Sequence, residues 1–252
     1  MKFPLAVSYA YRKESLMKQI LSRLRRAVED YHMIEAGDRI AVGVSGGKDS
    51  LAALLAMNSL KRFYPKPFYL EALTIDMGFD NMDFSKVKEL CEKEDIPYHI
   101  EKSDISKIIF DYRKEENPCS LCANLRRGAM CSVARERDIN KIVYGHHFDD
   151  VVNTFYLSLF YEGRLNCFSP VTHLERMDVT VLRPLIYVEE RDITGFSKRE
   201  NLPVVKSTCP ADKNTKRQVI SDMLNDLDRQ NHGLKKRIFT AIKNSEIKGW
   251  RV

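Results

Sequence analysis

Two glycines, a lysine, an aspartate and two serines lie together in the segment SGGKDS, residues 45–50. Glycine lets a backbone approach a phosphate closely, Lys48 adds a positive charge, and the hydroxyls of Ser45 and Ser50 can donate hydrogen bonds. The segment departs from the Walker A pattern, because Asp49 follows the lysine where that pattern requires serine or threonine. These residues predict a phosphate site of another kind, and an ordinary glycine-rich turn is the alternative.

Asp49 would repel a phosphate unless a cation lies between the two groups. Magnesium prefers carboxylate and phosphate oxygens and is the natural cation for this position. A metal held by Asp49 would neutralise pyrophosphate as a leaving group. The segment therefore favours cleavage between the α and β phosphates of ATP, which is the chemistry of adenylation, over transfer of the γ-phosphate.

The cysteines are the second set of residues that could do chemistry. Cys119 and Cys122 form a C-x-x-C pair in NPCSLCANLRRG, just ahead of a predicted basic helix, and Cys209 lies in KSTCPADKNTKRQ. A C-x-x-C pair alone is typical of a redox pair, half a zinc site or part of an iron–sulfur site. With Cys209 it supplies three thiolates, which can hold a cubane cluster and leave one iron without a protein ligand. The other cysteines are interpreted as core thiols: Cys91, Cys131 and Cys167.

Basic residues exceed acidic ones, 41 to 35, and they are clustered. Such clusters suit a polyanionic partner, and RNA is the natural candidate, although a solvated helix face explains each cluster taken alone. Some clusters flank the candidate cysteine ligands. The candidate RNA-binding residues are Arg126, Arg127, Lys213, Lys216 and Arg217.

Alternating strands and helices must position these residues. Apolar, β-branched runs predict strands at 39–44, 69–76, 97–102, 141–147 and 179–185. Helical patterns are found at 14–35, after the SGGKDS segment, at 83–95, from about 149 to 161 and at 189–201. This alternation predicts an α/β fold, a doubly wound, mostly parallel sheet with helices on both faces.

The chain divides into three predicted parts. Residues 1–36 form an N-terminal helical appendage, and residues 37–205 form the ATP-binding α/β domain with a cysteine-bearing insertion at 104–138. Residues 206–252 form a basic, helical C-terminal tail. No apolar run reaches the length of a membrane span and no signal-peptide pattern is present, so a cytoplasmic location without membrane association is expected.

The motifs together resemble a known family. SGGKDS is similar to the signature of the PP-loop ATP pyrophosphatase superfamily, with its adenine nucleotide α-hydrolase-like fold, and YGHHFDDVVNTF (144–155) resembles its second segment. The resemblance implies Lys48, Asp49 and Asp149 as catalytic residues, magnesium on Asp49, and either His146 or His147 in the site. The implied ATP-binding residues are Ser45, Gly46, Gly47, Lys48, Asp49, Ser50, Thr74, Ile75, Asp76 and Gly145.

The full combination, with the three cysteines, is similar to the iron–sulfur tRNA thiolation enzymes that make 2-thiocytidine. This resemblance implies adenylation of a pyrimidine C2 oxygen in the anticodon loop of tRNA, release of pyrophosphate, and sulfur transfer that displaces AMP. It implies ATP, Mg²⁺ and a [4Fe–4S] cluster on Cys119, Cys122 and Cys209. The sulfur donor would be sulfide or a cysteine-desulfurase system, and a homodimer is compatible with the pattern.

Three other functions fit parts of the sequence. A lysidine-synthetase type of enzyme would adenylate tRNA and use its cysteines for structural zinc. An iron–sulfur desulfidase would remove sulfur and would not need ATP, which the intact SGGKDS segment argues against. An RNA-binding module without catalysis would need the basic clusters alone.

Overall fold

The computed structural model describes residues 5–113, 118–206, 208–210 and 216–251, with side chains from residue 16 onward. The strands are β1 (Arg39–Gly43), β2 (Tyr69–Asp76), β3 (Tyr98–Lys102), β4 (Lys141–Val143), β5 (Val171–Leu174) and β6 (Val179–Leu182). The helices are α1 (Leu5–Asp30), α2 (Lys48–Lys61), α3 (Ser85–Lys93), α4 (Ile105–Lys107), α5 (Pro118–Glu136), α6 (Phe148–Leu157), α7 (Glu190–Arg199), α8 (Lys216–Gln230) and α9 (Leu234–Lys243). Short π-helical turns follow α4 and α6, at Ile108–Tyr112 and Ser158–Glu162.

The strands form one sheet in the order β3-β2-β1-β4-β6-β5. The pairs β3-β2, β2-β1, β1-β4 and β4-β6 are parallel, and β5 alone runs antiparallel to β6. The mostly parallel α/β prediction is confirmed. The sequence pattern missed β5, because an edge strand pairs on one side only and its four residues show no continuous burial.

Helices cover both faces of the sheet. Along β1 the side chains alternate, so that Ile40 and Val42 enter one core and Ala41 enters the other. The first core contains α1, α2, α6, α7 and the C-terminal helices, and the second contains α4 and α5. The cysteine-bearing helix α5 therefore lies on the opposite face from the helix that follows the SGGKDS segment.

Helix α1 begins earlier than the predicted start at residue 14 and ends at Asp30. Ile20, Leu24 and Val28 are fully buried, and the helix packs against α2 and α7. Its apolar face thus belongs to the main core. None of the helices that the structure describes combines the length and apolar character that crossing a bilayer requires.

A carboxylate lies inside central strand β2 and ties it to α5. Glu71 is 1% exposed, and Arg137, just after the end of α5, donates to its two carboxylate oxygens at 2.7 and 3.2 Å. The Tyr69 hydroxyl donates to the same group at 3.0 Å. A buried carboxylate needs such partners because burial of an unpaired charge is costly. The pair fixes the end of α5 on the sheet.

An aromatic cluster joins the C-terminal segment to α1. Trp250 is fully buried and meets Tyr31 and Phe239 edge-on, with ring centres 6.1 and 5.5 Å apart. Tyr187, ahead of α7, lies 5.9 Å from Phe239 and 6.3 Å from Tyr31. The cluster holds α9 and the segment after it against the main core.

Candidate active site

Residues 45–50, here called the phosphate loop, join β1 to the first turn of α2. Gly46 has a φ of +82°, and a Cβ at this position would lie 2.7 Å from Cβ of Val205. The Ser45 backbone N–H donates to Oγ of Ser50 at 3.2 Å, and that hydroxyl donates to the carbonyl of Gly47 at 2.9 Å. The loop is thereby held in one shape at the N-terminus of α2, where the helix dipole favours anions.

The neighbouring strands hold the phosphate loop from both sides. On the β2 side, the Thr74 hydroxyl lies 2.7 Å from the carbonyl of Val44 and 2.8 Å from the Tyr98 hydroxyl. On the β4 side, a Cβ on Gly145 would lie 2.7 Å from the carbonyl carbon and oxygen of Asp49. Only glycine lets this backbone approach the loop so closely. Thr74 and Gly145 thus fix the loop's position at the ends of the strands.

The predicted adenosine residues lie at the end of β2, beside the phosphate loop. The Thr74 side chain is turned toward Val44, and Ile75 is buried in the core behind the sheet. Asp76 accepts a hydrogen bond from the Gly78 backbone N–H at 3.0 Å. The side chains of these three residues already contact other parts of the protein. Binding of a nucleotide by these residues therefore stays a prediction, and it would involve their backbone N–H and C=O groups.

Lys48 lies between two carboxylates. Its Nζ is 3.1 Å from both oxygens of Asp49 and 2.9 Å from Oε1 of Glu190, the first residue of α7. Burial disfavours the charged amine, but the two carboxylates outweigh it and raise the pKa of Lys48. The positive charge of Lys48 and the carboxylate oxygens of Asp49 therefore lie side by side. A site that binds a phosphate together with a divalent cation requires this arrangement.

His147 lies between the phosphate loop and the paired aspartates that begin α6. It is buried, with Nε2 3.8 Å from Oδ1 of Asp49 and 3.4 Å from Oδ2 of Asp150. Its Nδ1 is 3.9 Å from Oδ2 of Asp149. The ring is thus surrounded by three carboxylates, one of them on the loop.

The two aspartates face different surroundings. Asp149 is buried and accepts hydrogen bonds from the Glu190 backbone N–H and from Lys235 of α9, each at 2.8 Å. Burial would raise the pKa of Asp149, but these two donors lower it. Asp150 instead lines a cavity beside the phosphate loop. The catalytic role of Asp149 stays a prediction, and its observed contacts tie the loop region to the C-terminal helices.

A cavity of about 470 Å³, here called the loop cavity, opens beside the phosphate loop. Its walls come from the loop, from α5, from the end of β4, and from β5 and β6. His146 lies in it, with its ring centre 5.9 Å from Tyr144 and 5.0 Å from Phe168. Burial lowers the pKa of His146 to about 4, so the ring is neutral at pH 7. The sequence predicted one of the two histidines beside the phosphate loop, and the structure puts both there, His146 in the cavity and His147 against the loop.

Cys119 and Cys122 lie inside the first turns of α5, and not ahead of a helix as predicted. The positions are one turn apart, so both thiols lie on one face of the helix. Burial raises the pKa of Cys122, Arg126 opposes this effect, and the nearby thiols of Cys209 and Cys119 add to it. Cys209 therefore comes close to the pair although it is far away along the chain.

Three neighbouring thiols, of which Cys119 is exposed and Cys122 and Cys209 are half-buried, are a donor set that fits a thiolate-ligated iron–sulfur cluster. As placed, no three His, Cys, Asp or Glu side chains in the described ranges stand close enough together to hold a single metal ion. The remaining cysteines are buried in the two cores, as interpreted from the sequence: Cys91, Cys131 and Cys167. Metal ligation by the first three stays a prediction.

The structure describes four of the five candidate RNA-binding residues. Arg126 and Arg127 line the loop cavity. Arg217 donates to Asp150 at 3.1 Å, and Nζ of Lys216 lies 4.6 Å from the ring centre of Tyr161. Lys213 lies outside the described residues.

The sequence pattern did not connect Glu190, Lys235 or Arg183 with the phosphate loop. Glu190 and Lys235 reach the site from α7 and α9, and no spacing rule connects them to the phosphate loop. Arg183 follows β6 directly and lines the loop cavity. A charged residue at the carboxyl end of a parallel strand is a usable signal, because ligands bind at that edge of the sheet.

Comparison with known proteins agrees with this geometry. The PP-loop domain family matches residues 16–227. A tRNA-cytidine(32) 2-sulfurtransferase from Geotalea daltonii is 37% identical over 236 residues, covering 92% of this chain and 93% of that protein. One from Alcanivorax borkumensis is 36% identical and covers 92% and 83%.

Solved structures show the same fold. The U34-tRNA thiolase NcsA from Methanococcus maripaludis, solved with its [4Fe-4S] cluster, superposes with a TM-score of 0.75 at 23% identity, covering 92% of this chain and 78% of that one. The NH3-dependent NAD synthetase from Campylobacter jejuni has a TM-score of 0.50 at 17% identity and covers 92% of each chain.

Proposed function

Because the chain belongs to the PP-loop family, and its curated relatives are tRNA-cytidine(32) 2-sulfurtransferases, we propose that it transfers sulfur to C2 of cytidine 32 in tRNA at the expense of ATP. It is an enzyme that thiolates tRNA, and AMP and pyrophosphate are the expected by-products. The observation that carries the proposal is the loop cavity, whose walls include both the phosphate loop and the helix that bears Cys119 and Cys122.

ATP activates the base in the first step. The cytidine O2 attacks the α-phosphorus, a new oxygen–phosphorus bond forms, and the bond to pyrophosphate breaks. Lys48 and the backbone N–H groups of the phosphate loop stabilise the negative charge on the phosphates. Asp49 would hold Mg²⁺, which when bound neutralises the leaving pyrophosphate.

Sulfur replaces oxygen in the second step. A sulfide equivalent attacks C2 and AMP leaves with the former O2, without a change in the oxidation state of carbon. Cys119, Cys122 and Cys209 would hold the [4Fe–4S] cluster, which when bound would supply the sulfur. Ala123, which follows Cys122 on α5, lines the loop cavity, and we expect the sulfur and the activated base to meet there.

Basic residues on two elements would hold the RNA. Arg126 and Arg127 line the cavity itself, and Lys216 and Arg217 begin the helix after the Cys209 segment. Phosphate contacts of this kind position a nucleic acid without reading its sequence. We further propose that the sulfur donor is sulfide or a cysteine-desulfurase system. The protein is proposed to be cytoplasmic and to form a homodimer.

The test is thiolation by the purified protein. Anaerobically prepared protein is incubated with ATP, Mg²⁺, sulfide and an unmodified tRNA transcript, and nucleosides are analysed by mass spectrometry. We expect 2-thiocytidine at position 32, together with pyrophosphate and AMP. Lysidine, or a loss of sulfur from thiolated tRNA without ATP, would contradict the proposal.

The cysteines offer a matched control on one helix. Cys119→Ser should remove cluster iron and thiolation together, whereas Cys131→Ser, on the same helix but in the core, should retain both. Cys122→Ser and Cys209→Ser should behave like Cys119→Ser. A zinc-loaded, iron-free protein that thiolates tRNA as fast as the iron form would refute the cluster assignment.

A further inference from the structure

Arg183 enters the loop cavity from the end of β6. Its Nη1 donates to the Ser169 carbonyl at 2.7 Å and to Oγ1 of Thr172 at 3.0 Å. Its guanidinium carbon lies 5.1 Å from the centre of the Phe168 ring. One edge of the guanidinium group is therefore anchored to β5 and to the residues before it.

The rest of the guanidinium group is not satisfied by the described residues. Nε is buried and has no hydrogen-bond partner among them. The neighbours that act on its charge are Tyr144, Cys167 and the positive Arg127, with no carboxylate among them. Burial lowers the pKa of Arg183 to about 10, which leaves the group charged at pH 7. A buried cation without a counter-ion is costly unless a ligand supplies the negative charge.

Other groups in the cavity point to the same kind of ligand. Arg126 and Arg127 line the cavity from α5, and the buried Nδ1 of His146, which is neutral at pH 7, has no hydrogen-bond partner among the described residues. The two carboxylates in the cavity wall, Asp49 and Asp150, are already paired with Lys48 and Arg217. Only β4 separates β6 from β1, so the ends of β6 and β1 are roughly 10 Å apart at the usual strand spacing. Arg183 therefore faces, across the cavity, whatever lies on the phosphate loop.

We propose that Arg183 is a further phosphate-binding residue of the loop cavity, and that its unpaired edge binds a nonbridging oxygen of a nucleotide phosphate. A planar guanidinium with one edge already fixed is suited to this contact, because it loses little freedom on binding. The inference rests on the proposed function, in which two substrates bring such phosphates to the cavity: ATP and the target nucleotide of tRNA.

The test compares Arg183→Gln and Arg183→Lys with Arg62→Gln, a control at the exposed end of α2. Affinity for ATP is measured by calorimetry without tRNA, and affinity for unmodified tRNA by filter binding without ATP. kcat and KM for each substrate come from the thiolation assay. We expect Arg183→Gln to lower affinity for one substrate, and to raise its KM, by tenfold or more. Arg183→Lys should lose less, since it retains the charge but not the fork.

The two sources of phosphate are distinguished by the arm that changes. A loss confined to ATP binding assigns the contact to the triphosphate, and a loss confined to tRNA binding assigns it to the RNA backbone. If Arg183→Gln fails to fold, the inference is tested with Arg183→Lys and Thr172→Val. Thr172→Val removes the hydroxyl that accepts a hydrogen bond from the guanidinium group. Thr172→Val should shift the same substrate in the same direction by a smaller factor.

Folded Arg183 variants that bind and use both substrates within twofold of wild type would overturn the inference. A failure of the proposed function has a different signature. In that case the wild-type protein itself produces no thiolated cytidine, while the ATP and tRNA binding arms still report on Arg183.

Discussion

Replacement of Gly145 by alanine tests how closely the end of β4 must approach the phosphate loop. The added Cβ would lie 2.7 Å from the carbonyl carbon and oxygen of Asp49 and 2.9 Å from the backbone N of Ser50. Those distances are about 0.5 to 0.7 Å short of ordinary contact, and all three atoms belong to the backbone, which cannot rotate away. The φ of Gly145 is not positive, so alanine can adopt its backbone and the cost is purely steric.

The magnitude follows from that displacement. Overpacking of this kind costs about 1–3 kcal/mol of unfolding free energy. A misplacement of 1 Å can reduce the rate by about a hundredfold, so the smaller shift required here should cost about tenfold or more. We therefore expect Gly145→Ala to fold, to unfold at lower urea concentration, and to lose ATP-dependent activity as well as stability.

The assays are urea unfolding, ATP binding by calorimetry and pyrophosphate release with tRNA. Gly128→Ala is the matched control, because a Cβ on Gly128 of α5 would meet nothing within 4 Å. It should keep its activity and gain up to about 1 kcal/mol from the better helix propensity of alanine. If Gly145→Ala binds ATP and releases pyrophosphate within twofold of wild type, the close approach is not what positions the loop.

Three further predictions concern charge. Lys48→Ala should fold normally but lose thiolation activity at saturating ATP. Lys66→Ala is the control, because Lys66 lies in a surface ion pair, and it should retain the activity. Full activity of Lys48→Ala would show that Lys48 does not bind phosphate. Arg137→Ala should cost about 3 kcal/mol in urea unfolding, because it leaves Glu71 buried without its cation, and a loss below 1 kcal/mol would show that Tyr69 alone suffices. Burial lowers the pKa of His146 from 6.5 to about 4, so between these two pH values the unfolded state binds a proton that the folded state does not bind. As the pH falls from 7 to 4, the free energy of unfolding of the wild type should therefore decrease by about 3 kcal/mol relative to that of His146→Asn. Parallel unfolding profiles for wild type and His146→Asn would contradict that assignment.

The sequence predicted the features that depend on neighbouring residues. Alternation and β-branched runs located β1 to β4 and β6, and the SGGKDS segment located the phosphate loop, because each pattern is set within a dozen residues. The edge strand β5 was missed because little of its surface is buried. The start of α5 was misjudged because the cysteines of a C-x-x-C pair give no sign of whether they lie before or within a helix.

Contacts between distant segments could not be predicted. Lys235 reaches Asp149 over 86 positions, and Glu190 reaches Lys48 over 142. Lys235 and Glu190 are two of many charged residues in the sequence, and nothing in their spacing shows that they contact the site. The same reason explains Arg183, whose unpaired edge becomes visible only when β5 and β6 are placed beside β4.

The aromatic cluster around Trp250 can form only late in the synthesis of the chain. The Tyr31 hydroxyl and the Trp250 carbonyl, 3.5 Å apart in the fold, are separated by 219 positions. At about 5–20 residues per second, a ribosome needs roughly 10 to 45 s to make the intervening chain. During that interval the aromatic face of the Tyr31 region has no Trp250 to cover it. The face can be covered fully only after Trp250 has been made, and hydrogen exchange on stalled chains would measure how far the Tyr31 region is protected before then.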